Sequence, residues 1–332
     1  MNRKIIYSML IVLGALLIFW VVLRNVDSPT STPKSLSALD IEFDAEKAAK
    51  IDVYKRDYPD SGLHFARIDT EWVVTNAYNV PATRDNIDKL FTDLNNVGGQ
   101  IRGESAELYE DFEITDELAL QIEIFDEGGS KLLHAFVGKG GSGRECFMRL
   151  AGSPTVYLAD ENFISRFAAW NAPPEKRLPA ERWIELALCD IPREQVKSFE
   201  IKRGKTEFEF ALLEEPSEDT LTPPVEIWSQ ISPEKGLKLE ESKIKRLHTN
   251  LASIRASNVT DPENRDKFGL EKPDYTIRVA DTEGNSSYIK FSNSVNEKDD
   301  RYAVVEGKDA VYVVTKNIFN RIFEDQFEKP DK

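Results

Sequence analysis

Histidine and cysteine are scarce in this chain: its 332 residues hold three of the first and two of the second. His64, His134 and His248 lie far apart, and there is no His-x-x-x-His and no Cys-x-x-Cys, so no metal ligand is assigned. Cys146 and Cys189 are too few for a disulfide framework, and whether they pair with each other is open at this level. No Gly-x-Ser-x-Gly marks a serine nucleophile. Gly138 to Gly143 fits G-x-G-x-x-G literally, but a strand and not a helix is expected after it, which leaves no helix N-terminus to meet a pyrophosphate. That stretch reads as a hairpin loop. Positive charge is also short: 43 Lys and Arg stand against 58 Asp and Glu, for a net charge of −15. Such a chain repels phosphate backbones and anionic membrane surfaces, so nucleic acid is not an expected partner.

What the chain does have is itself, twice. Trp72 stands to Trp228 as Phe112 stands to Phe268, at one identical separation. The helical stripe Ile87, Leu90, Phe91, Leu94, Val97 returns as Ile244, Leu247, His248, Leu251, Ile254. The alternating Leu120, Ile122, Ile124 returns as Tyr275, Ile277, Val279, each followed by an acidic turn containing glycine. Val156-Tyr157-Leu158 is answered by Val311-Tyr312-Val313. A period this long means tandem domains, not a solenoid of short repeats. A duplicated chain carries its own control. Residues that pack the unit recur in both copies, whereas those with a one-off task occur in one.

Residues 5–23 are uncharged and apolar, long enough at about 1.5 Å per residue to cross a hydrocarbon core of about 30 Å. Tyr7 and Trp20 sit near the ends of the run, and Arg3 and Lys4 precede it, which favours a cytoplasmic N-terminus. The run is longer than the apolar part of a signal peptide and no small-x-small site follows directly, so an uncleaved anchor is favoured over a cleaved signal. The expected organisation is a cytoplasmic tip at 1–4, a transmembrane anchor at 5–23 and a Ser/Thr/Pro linker at 24–39. A first repeat domain follows at 40–170, a connector at 171–185, a second repeat domain at 186–325 and a tail at 326–332.

Short alternating runs at 51–55, 63–67 and 71–74 read as strands, with a hairpin turn over Tyr58 to Gly62. A helix follows Pro81 and ends at Gly98-Gly99. Strands at 118–125, 131–137, 145–150 and 155–158 and a short helix over Asn162 to Ala169 complete the unit. The second copy repeats this order, with an acidic, Pro-rich insertion from Glu214 to Pro224. Several strands with one long and one short helix per unit imply an α+β fold with mostly antiparallel sheet: an N-terminal transmembrane helix followed by two tandem α+β domains.

Chemistry-bearing residues are few. His248 replaces Phe91 on the helix stripe and reads as a core-edge residue. His134 falls close to Ile289 in the repeat, and His64, between Leu63 and Phe65, is expected to face solvent. Asp44 with Glu46, Glu214 with Glu215 and Asp299 with Asp300 read as solvated acidic surface. Asp261 to Asp266 is only loosely like a calcium loop, lacking its glycine and its final glutamate. The recurring aromatics read as packing. Trp170 and Trp183 flank the connector and have no counterparts in the repeat. No catalytic, cofactor-binding or metal-ligating residue is assigned, no cofactor is expected, and the chain is not expected to be an enzyme.

Trp72 with Ala82 and the helix that follows forms part of a recognisable pattern. So do Lys267-Phe268-Gly269-Leu270-Glu271-Lys272-Pro273, Ile277-Arg278-Val279, Glu283-Gly284, Arg301-Tyr302-Ala303-Val304 and Val311-Tyr312-Val313-Val314. Together these resemble the bacterial family called domain of unknown function 4340. The first copy departs from the pattern, since Phe112-Glu113-Ile114-Thr115-Asp116 lacks the Gly and the Pro, and a different loop is expected there. The resemblance implies a single-pass protein of the bacterial inner membrane, N-terminus cytoplasmic and body periplasmic. It implies an auxiliary part of an ABC-type export system linked with gliding motility, with the permease and ATPase subunits and a periplasmic protein as partners. It carries no catalytic residue. The expected role is a noncatalytic accessory or scaffold subunit. Two other readings stand beside it: a periplasmic ligand- or glycan-binding module with its site between the repeats, and an envelope hydrolase.

Overall fold

A computed structural model describes residues 39–141, 143–170, 173, 175–215 and 225–327. The expected span at 5–23, most of the linker, residues 171, 172 and 174 at the start of the connector, most of the Pro-rich insertion and the end of the tail lie outside these residues. Among the described residues no helix is long and apolar enough to cross a membrane, which leaves the reading of 5–23 untouched.

The first sheet contains β1 (Ala48–Lys55), β2 (Tyr58–Ile68), β3 (Glu71–Val74), β4 (Val80–Pro81), β5 (Gly99–Gly103), β6 (Leu120–Asp126), β7 (Lys131–Gly140), β8 (Cys146–Leu150) and β9 (Val156–Ala159). Their order across the sheet is β4-β3-β2-β1-β6-β7-β8-β9-β5. The second sheet contains β10 (Ser198–Arg203), β11 (Thr206–Glu215), β12 (Val225–Ser232), β13 (Asn258–Thr260), β14 (Tyr275–Ala280), β15 (Ser286–Val295), β16 (Arg301–Val305) and β17 (Val311–Val314). Its order is β12-β11-β10-β14-β15-β16-β17-β13. Strand for strand this is the first order without β4, so the repeat read in the sequence is a repeat of topology. Both sheets are antiparallel. Among the described residues helices are few: α1 (Arg84–Asn96), α2 (Phe163–Arg166), α3 (Glu241–Ala252), α4 (Lys316–Phe323) and short 3-10 turns.

Period-two alternation makes the cores. In the first sheet Ile51 pairs with Ile124 and Val53 with Ile122, and all four are fully buried. Each such side chain contributes about 1.5–3 kcal/mol by leaving water. The helical stripe behaves as its spacing demands. Ile87, Leu90 and Leu94 on α1 are fully buried, as is Leu247 on α3, with Ile244 and Leu251 nearly so. α3 packs against β12, where Trp228 lies 4.6 Å from His248 ring to ring. The chain divides into two compact units. One comprises the residues up to His64 with Asp85–Leu178, the other Phe65–Arg84 with Pro179–Lys332. In the second unit Trp183 is buried against Phe65, ring centroids 5.4 Å apart, and an isolated bridge joins Ala82 to Ile184. Trp170 stands half exposed.

Several local expectations need correction. The stretch Tyr58 to Gly62 is not a turn, because the chain reverses at Arg56-Asp57 and those five residues open β2. Gly62 is there because a Cβ would stand 2.5 Å from the Val53 carbonyl oxygen on β1. Gly99 begins β5 instead of only ending a helix, and the short strands β4, β5 and β13 have no alternation long enough to read. Asn162 caps α2 by accepting from the Ser165 amide, and the helix runs only to Arg166. Cys146 and Cys189 are free and buried.

The loop after Phe112 is also not different in kind. Gly269 adopts the left-handed conformation, φ 68°, and Glu113 takes the same turn with φ 58°. In both copies the preceding ring then stacks on the sheet: Phe112 on Phe147 at 4.0 Å and Phe268 on Tyr302 at 3.7 Å. The next residue is buried in each, as Ile114 and Leu270. The turn is preserved without its glycine, at the cost of a β-carbon in the left-handed region.

Candidate functional site

The two copies diverge on the outer face of the first sheet. The residues between the core positions of β1 and β6 point there: Asp52 opposite Glu123, and Tyr54 opposite Gln121. β7 adds His134 opposite Glu123 and Phe136 opposite Gln121, and β8 adds Arg149 opposite Phe136. This face should be wet, yet Asp52, Gln121, Glu123 and Arg149 are each less than a tenth exposed. Buried charge must be paired or it is lost to neutralisation, and the layer is paired throughout.

Asp52 accepts from His64 Nδ1 at 2.8 Å and from Lys50 at 2.7 Å. Burial pushes its carboxyl up, but those two donors together outweigh burial and hold the pKa below the ordinary value. The other nitrogen of His64, Nε2, lies 2.9 Å from the Pro59 carbonyl oxygen. Both ring nitrogens therefore face acceptors, which only the doubly protonated imidazolium satisfies. The Asp52 hydrogen bond accordingly raises the His64 pKa, against the effect of burial. The expectation that His64 faces solvent is corrected: its side chain is about three-quarters covered.

Glu123 receives Lys131 in a close ion pair and the Tyr54 hydroxyl at 3.1 Å. Burial and that carboxylate push the Tyr54 phenol up to about 12, so it stays a donor. His134 is the opposite of His64. Its Nε2 is 3.0 Å from Gln121 Oε1, and its Nδ1 is 3.4 Å from the Lys131 ammonium, which can only donate. That fits a neutral ring with the proton on Nε2, and burial lowers its pKa. Arg149 donates to the Ile114 carbonyl oxygen at 2.7 Å, forms a close ion pair with Asp116, and places its Cζ over the Phe136 ring, 3.5 Å from the centroid.

The second copy has no such layer. Register places Glu200, Thr276, Arg278, Tyr288 and Val304 where the first copy has Asp52, Gln121, Glu123, His134 and Arg149. Glu200 and Arg278 form a loose pair at 3.6 Å that is about half exposed, and Val304 joins Leu270 and Val311 in an apolar cluster. His134 thus matches Tyr288 and not Ile289, a slip of one residue that exchanges the faces of a strand. The layer ties side chains of β1, β2, β6, β7 and β8 to one another and holds two histidines whose surroundings shift their pKa in opposite directions. Nothing in its arrangement presents a nucleophile beside a free base.

The remaining residues singled out in the sequence have local tasks. His248 Nε2 lies 3.1 Å from the Arg193 carbonyl oxygen, and its ring rests on Trp228. Asp261 caps the 3-10 turn Pro262–Phe268 by accepting from the Glu263 amide at 2.9 Å. Gly138 of the glycine-rich stretch lies within β7, where a Cβ would stand 2.1 Å from the Phe112 carbonyl oxygen, so its smallness serves loop packing. Ser142 lies outside the described residues. Burial pushes the Cys146 thiol up to about 12.

Two antiparallel sheets of one strand order, each with few helices, define a tandem-duplicated α+β protein. The family model for domain of unknown function 4340 (DUF4340) matches residues 72–260 and 228–329, and the chain belongs to that family. No curated protein and no solved structure gives a significant match.

Proposed function

We propose that the chain is a noncatalytic accessory or scaffold subunit of an ABC transporter-like complex, held in the bacterial inner membrane by residues 5–23 with its body in the periplasm. The observation that carries this reading is the uncharged run at 5–23 ahead of two tandem family domains. The resemblance to auxiliary parts of export systems linked with gliding motility supports the transporter setting. The body has the character of a platform: its most polar buried region spends its charges on one another, and its repeated aromatics pack. In this reading the span contacts the permease and the acidic body contacts a periplasmic protein.

The test is affinity purification from mildly solubilised native membranes, with the tag at Lys332 and co-purifying proteins identified by mass spectrometry. Recovery of an ABC permease and ATPase at near-stoichiometric levels is the expected result. A chain that elutes without transporter subunits overturns the transporter reading.

A further inference from the structure

The duplication exposes a difference at one sheet edge. In the first sheet the strand equivalent to β12 is β3, and its outer side is occupied from within the chain. β4 pairs there, with Val73 opposite Pro81 and Val74 opposite Val80. The Ala82 amide continues the pairing to the Trp72 carbonyl at 2.7 Å. Among the described residues β12 is the terminal strand of the second sheet. The segment that follows it is held differently. The Gln230 side-chain amide reaches the Pro233 and Leu237 carbonyls and accepts from the Leu239 amide, in place of a backbone ladder.

β12 has few of the devices that usually blunt an edge, apart from a register shift against β11 between Gln230 and Ser232. Its eight residues, Val225–Ser232, include no Lys and no Pro. One face of the edge is an apolar strip of Leu213, Val225, Ile227 and Ile231. Leu213 is 43%, Val225 56% and Ile231 39% exposed, and Leu213 is paired with Ile227. The other face sets Glu214 directly opposite Glu226. Like charges at that separation destabilise a strand pair. Lys197 compensates Glu226 at 2.7 Å, but β11 and β12 themselves carry Glu207, Glu209, Glu214, Glu215 and Glu226 with no Lys or Arg among them.

We infer that β12 is a docking edge that takes an extended strand from a partner protein, with basic residues alternating with aliphatic ones. Backbone pairing to β12 supplies the affinity common to added strands, and the side chains supply the choice of partner. On one face the strand's aliphatic residues cover Val225, Ile227 and Ile231. On the other, a Lys or Arg opposite Glu226 relieves the Glu214–Glu226 pair. A second copy of this chain is the wrong occupant, because it would bring the same carboxylates to the same edge. The edge accepts such a strand whether or not the chain serves a transporter.

The test uses the full chain in mild detergent and a fluorescent, end-capped eight-residue peptide alternating Lys and Val, with a Glu–Val peptide as control. The expected result is anisotropy binding by the Lys–Val peptide alone, weakened by salt, with slowed amide exchange confined to Val225–Ser232. Glu226→Lys weakens it about tenfold, as reversal of a cross-strand charge pair should. Ile231→Lys, at an exposed position the fold tolerates, blocks the same edge. Equal binding of both peptides, or of neither, overturns the inference. So does uniformly slow exchange across Val225–Ser232 in the free protein, which would mean the edge is already filled by this chain or a second copy.

Discussion

Replacing His64 with alanine should cost stability in a way that depends on pH with a definite sign. At pH 5.5 the imidazolium makes two bonds, to Asp52 at 2.8 Å and to the Pro59 carbonyl at 2.9 Å. A hydrogen bond to a charged group contributes about 1.5–3 kcal/mol and a neutral one about 1 kcal/mol. Lys50 remains on Asp52 after the substitution and the ring is partly exposed, so the low end applies. The expected cost is about 2 kcal/mol at pH 5.5. At pH 9 the neutral ring can satisfy only one acceptor, and the cost falls to about 1 kcal/mol. The sign follows from linkage. His64 has a folded pKa above its ordinary value of 6.5, so its contribution is fully present below that value and is lost as pH rises through the raised pKa. Asp52 works in the other direction at lower pH. Its contribution is present above its ordinary value of 3.8 and is lost as pH falls through the depressed pKa. Amide exchange in β1 and β2, corrected for its intrinsic pH dependence, should show an opening constant about fivefold more sensitive to the substitution at pH 5.5 than at pH 9. An NMR titration of the ring should place His64 above and His134 below the ordinary imidazole value. A His64 that titrates at or below that value, or a substitution that costs more at pH 9, refutes the assignment of an imidazolium.

Other consequences are local. Arg149→Ala should cost about 2–4 kcal/mol in chemical denaturation, because it strands the Ile114 carbonyl and removes the cation over Phe136; Arg149→Lys should recover little, lacking the planar fork. Gly138→Ala should destabilise by about 1–3 kcal/mol through the clash with the 112–114 loop. Gly128→Ala, where the nearest atom is a flexible Asp126 oxygen at 3.3 Å, should be nearly neutral. Glu113→Gly should raise stability by about 0.5–1 kcal/mol, the left-handed strain relieved less the added freedom of the unfolded chain, measured by the denaturation midpoint. With a thiol pKa of about 12, Cys146 should resist thiol reagents at pH 8 until the chain unfolds.

The sequence made the duplication, the α+β composition and the core faces legible, because each rests on a periodicity that survives divergence. Ile51, Val53, Ile122 and Ile124 are apolar in both copies at equivalent positions, as Phe199, Ile201, Ile277 and Val279. The ionic layer was not legible. Asp52 and Glu123 lie far apart in sequence, and an acidic residue between apolar ones ordinarily reads as a solvent-facing position. Only cross-strand register brings Asp52 to Glu123 and His134 to Glu123. A signal did exist in the repeat. Aligned by register, His134 and Arg149 correspond to Tyr288 and Val304, and such replacements mark a position with a task in one copy. The alignment that matched His134 to Ile289 was one residue out and hid it. The turn after Phe112 was misjudged for another reason: absence of glycine disfavours a left-handed residue by about 1–2 kcal/mol, which packing of Phe112 and Ile114 can overrule.

That this chain works by holding a partner is tested most directly by site-specific photocrosslinking in intact cells. A crosslinking residue at Val225, on the open edge of β12, is compared with one at Ile101, exposed on β5 of the first sheet. Adducts at Val225 that contain the subunits recovered with the Lys332-tagged chain are the predicted result. Absence of adducts at Val225, or adducts only with further copies of this chain, would contradict it.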